Sequence, residues 1–313
     1  MLEKCCIRQD LVNRESRQGG RNGLEQNDIV TKNFESYADV AADIINALIH
    51  NGTQEIKSEN LLSAATESLY ADRENILHNQ LEDVAKYHII EGVPGTMYLF
   101  ANQTKADKGM LLRKAGYVGG EYRRQYEKQN RGWYPVVELV LYWGKSRWKG
   151  ADSIRQLMDR GSGKVAKTTW KYVDNMQLHV WEMRYLPQEV REHFQSDMRI
   201  VLDYLAEGNG YRSDRKVVHK EATIKMLRVL SGDRNVEDTR EILEKMNITE
   251  EAEISMCELF DQYTRRGIAQ GVAQGIIIMC KEFNASYEET LQKVRAKLNV
   301  SEQEAEKEMQ LYW

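Results

Sequence analysis

Asp83 and Gln103 are the residues whose types and spacing could do chemistry. The first is an acid able to hold a hard cation, and the second is an amide able to orient a water molecule. Both belong to LEDVAKYHIIEGVPGTMYLFANQT, Leu81 to Thr104, which reads as two strands joined by a tight loop. Side chains alternate along a strand, so Met97, Leu99, Ala101 and Gln103 share one face of the second strand and Tyr98, Phe100 and Asn102 the other. Leu81, Asp83, Ala85, Tyr87 and Ile89 share a face of the first. Glu91 to Gly95 contains Gly, Pro and Gly, the composition of a chain reversal. With that loop, Ile90 pairs with Thr96 and Asp83 lies opposite Gln103, with Ala101 one pair inward. An acid, an amide and a gap are expected together at the open end of the hairpin.

A cationic stretch follows at once. Between Lys105 and Lys171 there are sixteen Lys and Arg against six acids, although the whole chain carries a formal charge of -4. Such a belt could offset nucleic-acid phosphates, whereas a solvated surface would be the plain alternative. Lys105, Lys108, Arg113, Arg123 and Arg124 are the belt's candidates to bind nucleic acid. Arg113 is the one whose guanidinium fork would suit a phosphate best. Trp143 and Trp148, interleaved with Lys145, Arg147 and Lys149, could stack on bases or cap the core rim.

The remaining elements must position these groups. Met1 to Lys32 is polar, mixed in charge and glycine-containing, and is expected to be a flexible tail. Asn33 to Ile49 has apolar residues three and four apart and is expected to form one amphipathic helix carrying Asp43. Gln54 to Leu62 enters the sheet through a short helical turn, and Ser63 to Gln80 is expected to be an irregular connection. Lys105 to Lys128 has helical spacing, weakened by Gly116, Gly119 and Gly120. PVVELVLYW, Pro135 to Trp143, is expected to be the sheet's middle strand, apolar on both faces except for Glu138. Gln177 to Trp181 adds an edge strand, and Pro187 to Ala206 a helix. Gly208 to Gly210 is expected to close a domain at 33–208, with helices alone in 209–313. There Gly267, Gly271 and Gly275 recur at i+4, a spacing that would let a second helix, of this chain or another copy, approach closely.

Composition narrows the classes. With 42% hydrophobic and 29% charged residues and only three prolines, the sequence is that of a helix-rich globular protein. No run of about 18 apolar residues and no hydrophobic leader is evident, so a cytoplasmic location without a membrane partner is expected. The four cysteines show no metal-binding or disulfide spacing, and the six histidines show no HExxH. Gly161-Ser162-Gly163-Lys164 lacks the upstream glycine and the following Ser/Thr of a phosphate loop.

In their order, AADIINALIHNGTQEIKSENL (Ala41 to Leu61), LEDVAKY, ANQT followed by DKGMLLRKAGY, PVVELVLYWGKSRWKG and FQSDMRIVLDYL resemble the Rpn family of recombination-promoting nucleases and putative transposases. The resemblance runs through nearly everything after Lys32. It implies an α/β fold of the PD-(D/E)XK nuclease superfamily, a central mixed sheet flanked by helices, followed by an all-α extension. It also implies Mg2+-dependent cleavage of DNA, with Asp83 binding the metal, Gln103 in the place of the motif's lysine, and Asp43 matching a further acid. Where the family has Glu-Asn-Gln-Thr this chain has Ala101-Asn102-Gln103-Thr104, so the second metal-binding carboxylate is missing. The resemblance therefore leaves two expectations open: an endonuclease impaired at position 101, or a relative that binds DNA or regulates a nuclease without cutting.

Overall fold

The computed structural model describes residues 28–313 apart from 65–66, 72–76, 82, 128–131, 162–165, 167, 209–210, 233–238 and 284. Most of the expected tail and the Gly161-Ser162-Gly163-Lys164 segment beyond its first glycine lie outside the described residues. The chain divides into two compact units, one of residues up to 211 together with 218–237, the other of 212–217 and 238–313.

The first unit is built on a five-stranded mixed sheet in the order β1-β4-β5-β6-β7, where β1 is Leu61–Ser63, β4 Val84–Ile90, β5 Val93–Gln103, β6 Val136–Tyr142 and β7 Val180–Glu182. Two further strands, β2 (Glu67–Ala71) and β3 (Leu77–Leu81), form a separate antiparallel ribbon where an irregular connection is expected. Leu81 and Asp83 therefore do not share a strand. β5, not β6, is the middle strand, and β6 and β7 run parallel to it. A parallel neighbour requires a crossover, which α3 (Met110–Glu127) supplies between β5 and β6. That helix runs unbroken through Gly116, Gly119 and Gly120. Its buried face, Met110, Leu111, Lys114, Tyr117, Val118, Glu121 and Gln125, holds it on the sheet. A Cβ on Gly119 would meet nothing within 4 Å, so no close approach explains that glycine.

The β4–β5 turn is tighter than expected. Glu91 and Gly92 alone make it, with φ of 52° and 80°, the left-handed pair that matches the twist of a two-residue hairpin. Val93, Pro94 and Gly95 belong to β5. Pro94 is tolerated because β6 joins β5 only from Met97 onward, leaving no ladder bond for the missing N–H to make on that side. Val84 pairs with Phe100, and the ladder shifts between His88 and Ile89. Continued by one residue, that register sets Asp83 against Ala101 rather than Gln103.

A helix at 28–36 (α1) precedes α2 (Ala38–Ile49), so the single expected helix is two, and its first begins inside the expected tail. Tyr37 breaks them with an extended backbone, ψ 133°, and its ring stacks on His219 at 3.8 Å. In α1, Val30 and Phe34 are buried one turn apart. Likewise the expected helix from Pro187 to Ala206 is two, α5 (Gln188–Arg191) and α6 (Met198–Glu207).

α7 (Lys220–Ser231) belongs to the first unit, beyond the boundary expected at 208. Asp197, 2% exposed, explains why: it accepts from the amides of Val218 and His219 and from the Thr223 hydroxyl, and so holds the start of α7.

The second unit comprises α8 (Thr239–Lys245), α9 (Met256–Glu282), α10 (Tyr287–Leu298) and α11 (Glu302–Tyr312). Ser255/Glu258, Ser286/Glu289 and Ser301/Glu304 make reciprocal capping boxes, the last of them legible in the sequence. Ala273, Ile277, Leu291, Val294, Ala305 and Met309 form its core. Gly271 and Gly275 are exposed, with nothing within 4 Å of an added Cβ, so the small-residue face is not the one packed within this unit. No helix of the described residues is long and apolar enough to cross a membrane.

Candidate functional site

Asp83 precedes β4 and stands at the end of the sheet where β5 and β6 finish. One carboxylate oxygen accepts from the backbone N–H of Asn102, and the other lies 2.9 Å from the Lys32 ammonium. Lys32 also reaches Asp28, one turn earlier on α1, at 2.7 Å. The shifts of the two ion-pair partners do not mirror each other. Burial pushes the Asp83 carboxyl up despite Lys32 and Asn102. At Lys32 burial pulls the ammonium down, but the bonds and charges of Asp28 and Asp83 more than reverse it. Asp83 is 12% exposed at the side chain and Lys32 31%, so desolvation weighs more on the acid.

Glu35, one turn beyond Lys32 on α1, is the second acid of the cluster. It is 0% exposed, and one of its oxygens accepts from the Asn102 amide at 2.6 Å. Its other oxygen, Oε1, has no hydrogen-bond partner among the described residues. Burial holds its carboxyl well above the ordinary range, and the negative charges of Asp83 and Asp28 add to that. Asn102 is thus the hub: its N–H serves Asp83, its amide nitrogen serves Glu35, and its amide oxygen accepts from the Trp143 indole at 2.7 Å. The indole can only donate, which fixes the orientation of the amide.

Position 101 contributes nothing to this cluster. Ala101, 1% exposed, packs with Met110, Leu111, Val140, Ala151 and Leu178, so the expected gap is filled by apolar side chains. Gln103 ends β5 beside Tyr142, its carbonyl accepting from Trp143 at 2.7 Å. Asp43 is committed elsewhere. Its carboxylate accepts from the amides of Gln195 and Ser196 and from the Ser196 hydroxyl, at 2.6 to 3.0 Å, and so anchors the turn between α5 and α6. Asp43→Asn is expected to lower unfolding stability by about 1–2 kcal/mol, measured by urea denaturation, because charge-assisted bonds become neutral ones.

The five basic residues expected to bind nucleic acid separate into three groups. Lys105 and Lys108 are exposed in the loop that leaves β5. Beside it runs the loop leaving β6, where Lys145 is exposed. The two loops touch, since a Cβ on Gly144 would fall 2.8 Å from the Thr104 carbonyl. Ligands of open α/β sheets bind at such carboxyl ends. Arg113 and Arg123 are ion-paired at the surface, with Asp107 at 3.2 Å and Glu127 at 2.7 Å. Arg124 is internal in function: its guanidinium bonds Glu121 at 2.6 Å, Tyr134 at 3.0 Å, and Tyr87. That corrects its assignment to a nucleic-acid surface. Lys128, Arg131, Lys164 and Lys167 of the cationic stretch lie outside the described residues.

The fold implies a divalent cation, and the residues present can be tested against it. Glu35 Oε1 is a buried oxygen without a hydrogen-bond partner among the described residues, on a carboxyl that feels the charge of an Asp83 already holding an ammonium, and a hard ion takes such carboxylate oxygens. The donor chemistry fits, with α1 supplying the second acid in place of β5. As they stand, no three His, Cys, Asp or Glu side chains among the described residues are grouped closely enough to hold a metal ion. The Lys32 ammonium holds the Asp83 oxygen that Asn102 leaves free.

A mixed sheet flanked by helices, with an acid and an amide at the carboxyl ends of its middle strands, defines a PD-(D/E)XK-like α/β core followed by a helical unit. The family described as putative transposase, YhgA-like, matches residues 25–231, well over half of the chain, and the chain belongs to that family. Comparison with the curated proteins and with the solved structures finds no match.

Proposed function

We propose that the chain hydrolyses DNA phosphodiester bonds with Mg2+ held by Asp83 and Glu35, in recombination, mobile-element movement or defence. One observation carries this reading. Both carboxylates hang from Asn102 at the same sheet end that presents Lys105 and Lys108. Mg2+ bound there would polarise a phosphate oxygen and acidify a water. Asp83 and Glu35 would supply its oxygen ligands, and Asn102 keeps both aimed. Gln103 would orient the attacking water, while Lys105, Lys108 and Arg113 would grip the DNA backbone through its phosphates.

Nicking of supercoiled plasmid by the purified chain in Mg2+ tests this. Asp83→Ala and Glu35→Gln are each expected to lower the rate at least 100-fold, and rates unmoved by both would remove these acids from the reaction. Lys105→Ala with Lys108→Ala is expected to weaken binding and flatten the salt dependence by about two phosphate contacts, roughly 0.9 in slope for each.

The sealed, apolar surroundings of Ala101 favour a second reading, a family member that binds DNA without cutting it. It expects salt-sensitive binding and no nicking in Mg2+.

A further inference from the structure

We infer that Lys32 is a built-in counter-ion whose ammonium holds the Asp83 oxygen that a divalent ion at the Asp83–Glu35 site would need, so that the ion binds only by displacing it. The inference rests on reading Asp83 and Glu35 as the ion-holding pair.

Asp28, Lys32 and Glu35 recur at i, i+4 and i+7 on α1, which places them on one face of the helix. That face meets Asp83 and Asn102. The Lys32 ammonium bonds Asp28 at 2.7 Å and Asp83 at 2.9 Å, and its charge also acts on Glu35. Two carboxylates thus hold one ammonium, and Glu35 lies outside its salt-bridge contacts among the described residues. Glu35 keeps a fully buried oxygen with no hydrogen-bond partner among the described residues.

A divalent ion held by Asp83 and Glu35 would need the Asp83 oxygen that Lys32 now occupies, because a hard cation binds through carboxylate oxygens. Lys32 stands on a flexible four-carbon stem and is partly exposed, so its head can swing outward without moving α1. Among the described residues it is the one cation within salt-bridge distance of Asp83. Displacement would release the ammonium to the sheet end that carries Lys105 and Lys108. There it adds one positive charge to the surface proposed to meet DNA.

Calorimetric titration of the full-length protein with MnCl2 tests the inference. Lys32→Met is expected to bind Mn2+ at least tenfold more tightly than the unaltered chain, and adding Glu35→Gln is expected to cancel the gain. Equal or weaker binding by Lys32→Met overturns the proposal. Should Lys32→Met fail to fold, the unaltered chain still decides the matter. Acylation of Lys32, followed by mass spectrometry at fixed pH, is expected to quicken several-fold as Mn2+ is added. A rate independent of Mn2+ overturns the proposal equally. Metal affinity and plasmid nicking are separate readouts, so tighter Mn2+ binding without nicking would leave the counter-ion in place and dismiss the nuclease reading alone.

Discussion

Ala101→Glu is expected to destabilise the chain by about 3–5 kcal/mol and to create no new cleavage activity. The resemblance alone argues for the opposite, since it makes position 101 the missing metal ligand. The packing decides. Ala101 is 1% exposed, and its methyl touches a cluster of Met110, Leu111, Val140, Ala151 and Leu178, with Trp148, Ile154 and Leu157 behind them. A glutamate there adds volume to a filled core, at a cost of roughly 1–3 kcal/mol. It also carries a carboxylate into an apolar cluster, and a poorly paired buried charge costs several kcal/mol or takes up a proton instead. Either way the side chain is no ligand. Urea denaturation followed by circular dichroism measures the loss, and plasmid nicking the activity. A stable Ala101→Glu protein that cuts DNA would show that the α3 side of β5 opens where the structure has it closed.

Much of the fold could be read from residue pattern because burial imposes it. β6 shows as a continuous apolar run, α2 as a three-four repeat, and α11 by its Ser-x-x-Glu start. What escaped were features decided by a few atoms. The hairpin turn shows as five residues because Gly92, Pro94 and Gly95 all look like turn residues, yet of these only Gly92 has φ above zero. The shorter turn moves the pairing by three residues, the irregularity between His88 and Ile89 returns one, and Asp83 faces Ala101 in place of Gln103. Glu35 and Lys32 escaped for another reason. Asp28, Lys32 and Glu35 show helical spacing, but a polar segment gives no sign that its charged face will be buried against a partner distant in sequence. Asp43 was the acid that motif matching selected on the following helix, and its bonds to Gln195 and Ser196 depend on a loop more than 150 residues away. The site is therefore legible as an acid and an amide at a strand end, and its second acid only once α1 is in place.

Stability is expected to fall as pH rises from about 5 to 8, and Glu138→Gln is expected to remove much of that slope. Glu138 lies in β6 opposite Leu99, 1% exposed, with neither carboxylate oxygen hydrogen-bonded. Burial raises its carboxyl to about 7, held back by the nearby charges of Lys114 and Arg113. Burial lowers the Lys114 ammonium in turn, so the two face each other across a dry interface where neither is well solvated. The direction follows from proton counts. Between the ordinary carboxylate value, 4.5, and about 7, the folded chain keeps a proton that the unfolded chain has released, so raising pH favours unfolding. Glu138 therefore contributes fully below pH 4.5, and its contribution is lost as pH rises through 7. A shift of that size corresponds to about 3 kcal/mol, at about 1.4 kcal/mol for each tenfold change. Glu35, raised by burial too, tilts the curve in the same sense, which is why the variant and not the parent curve isolates Glu138. Chemical denaturation at pH 5 and pH 8 should show Glu138→Gln losing less stability across that interval by roughly 3 kcal/mol. Parallel curves would mean that Glu138 is charged in the folded chain at both pH values, paired with Lys114 through an ordered water or a direct contact.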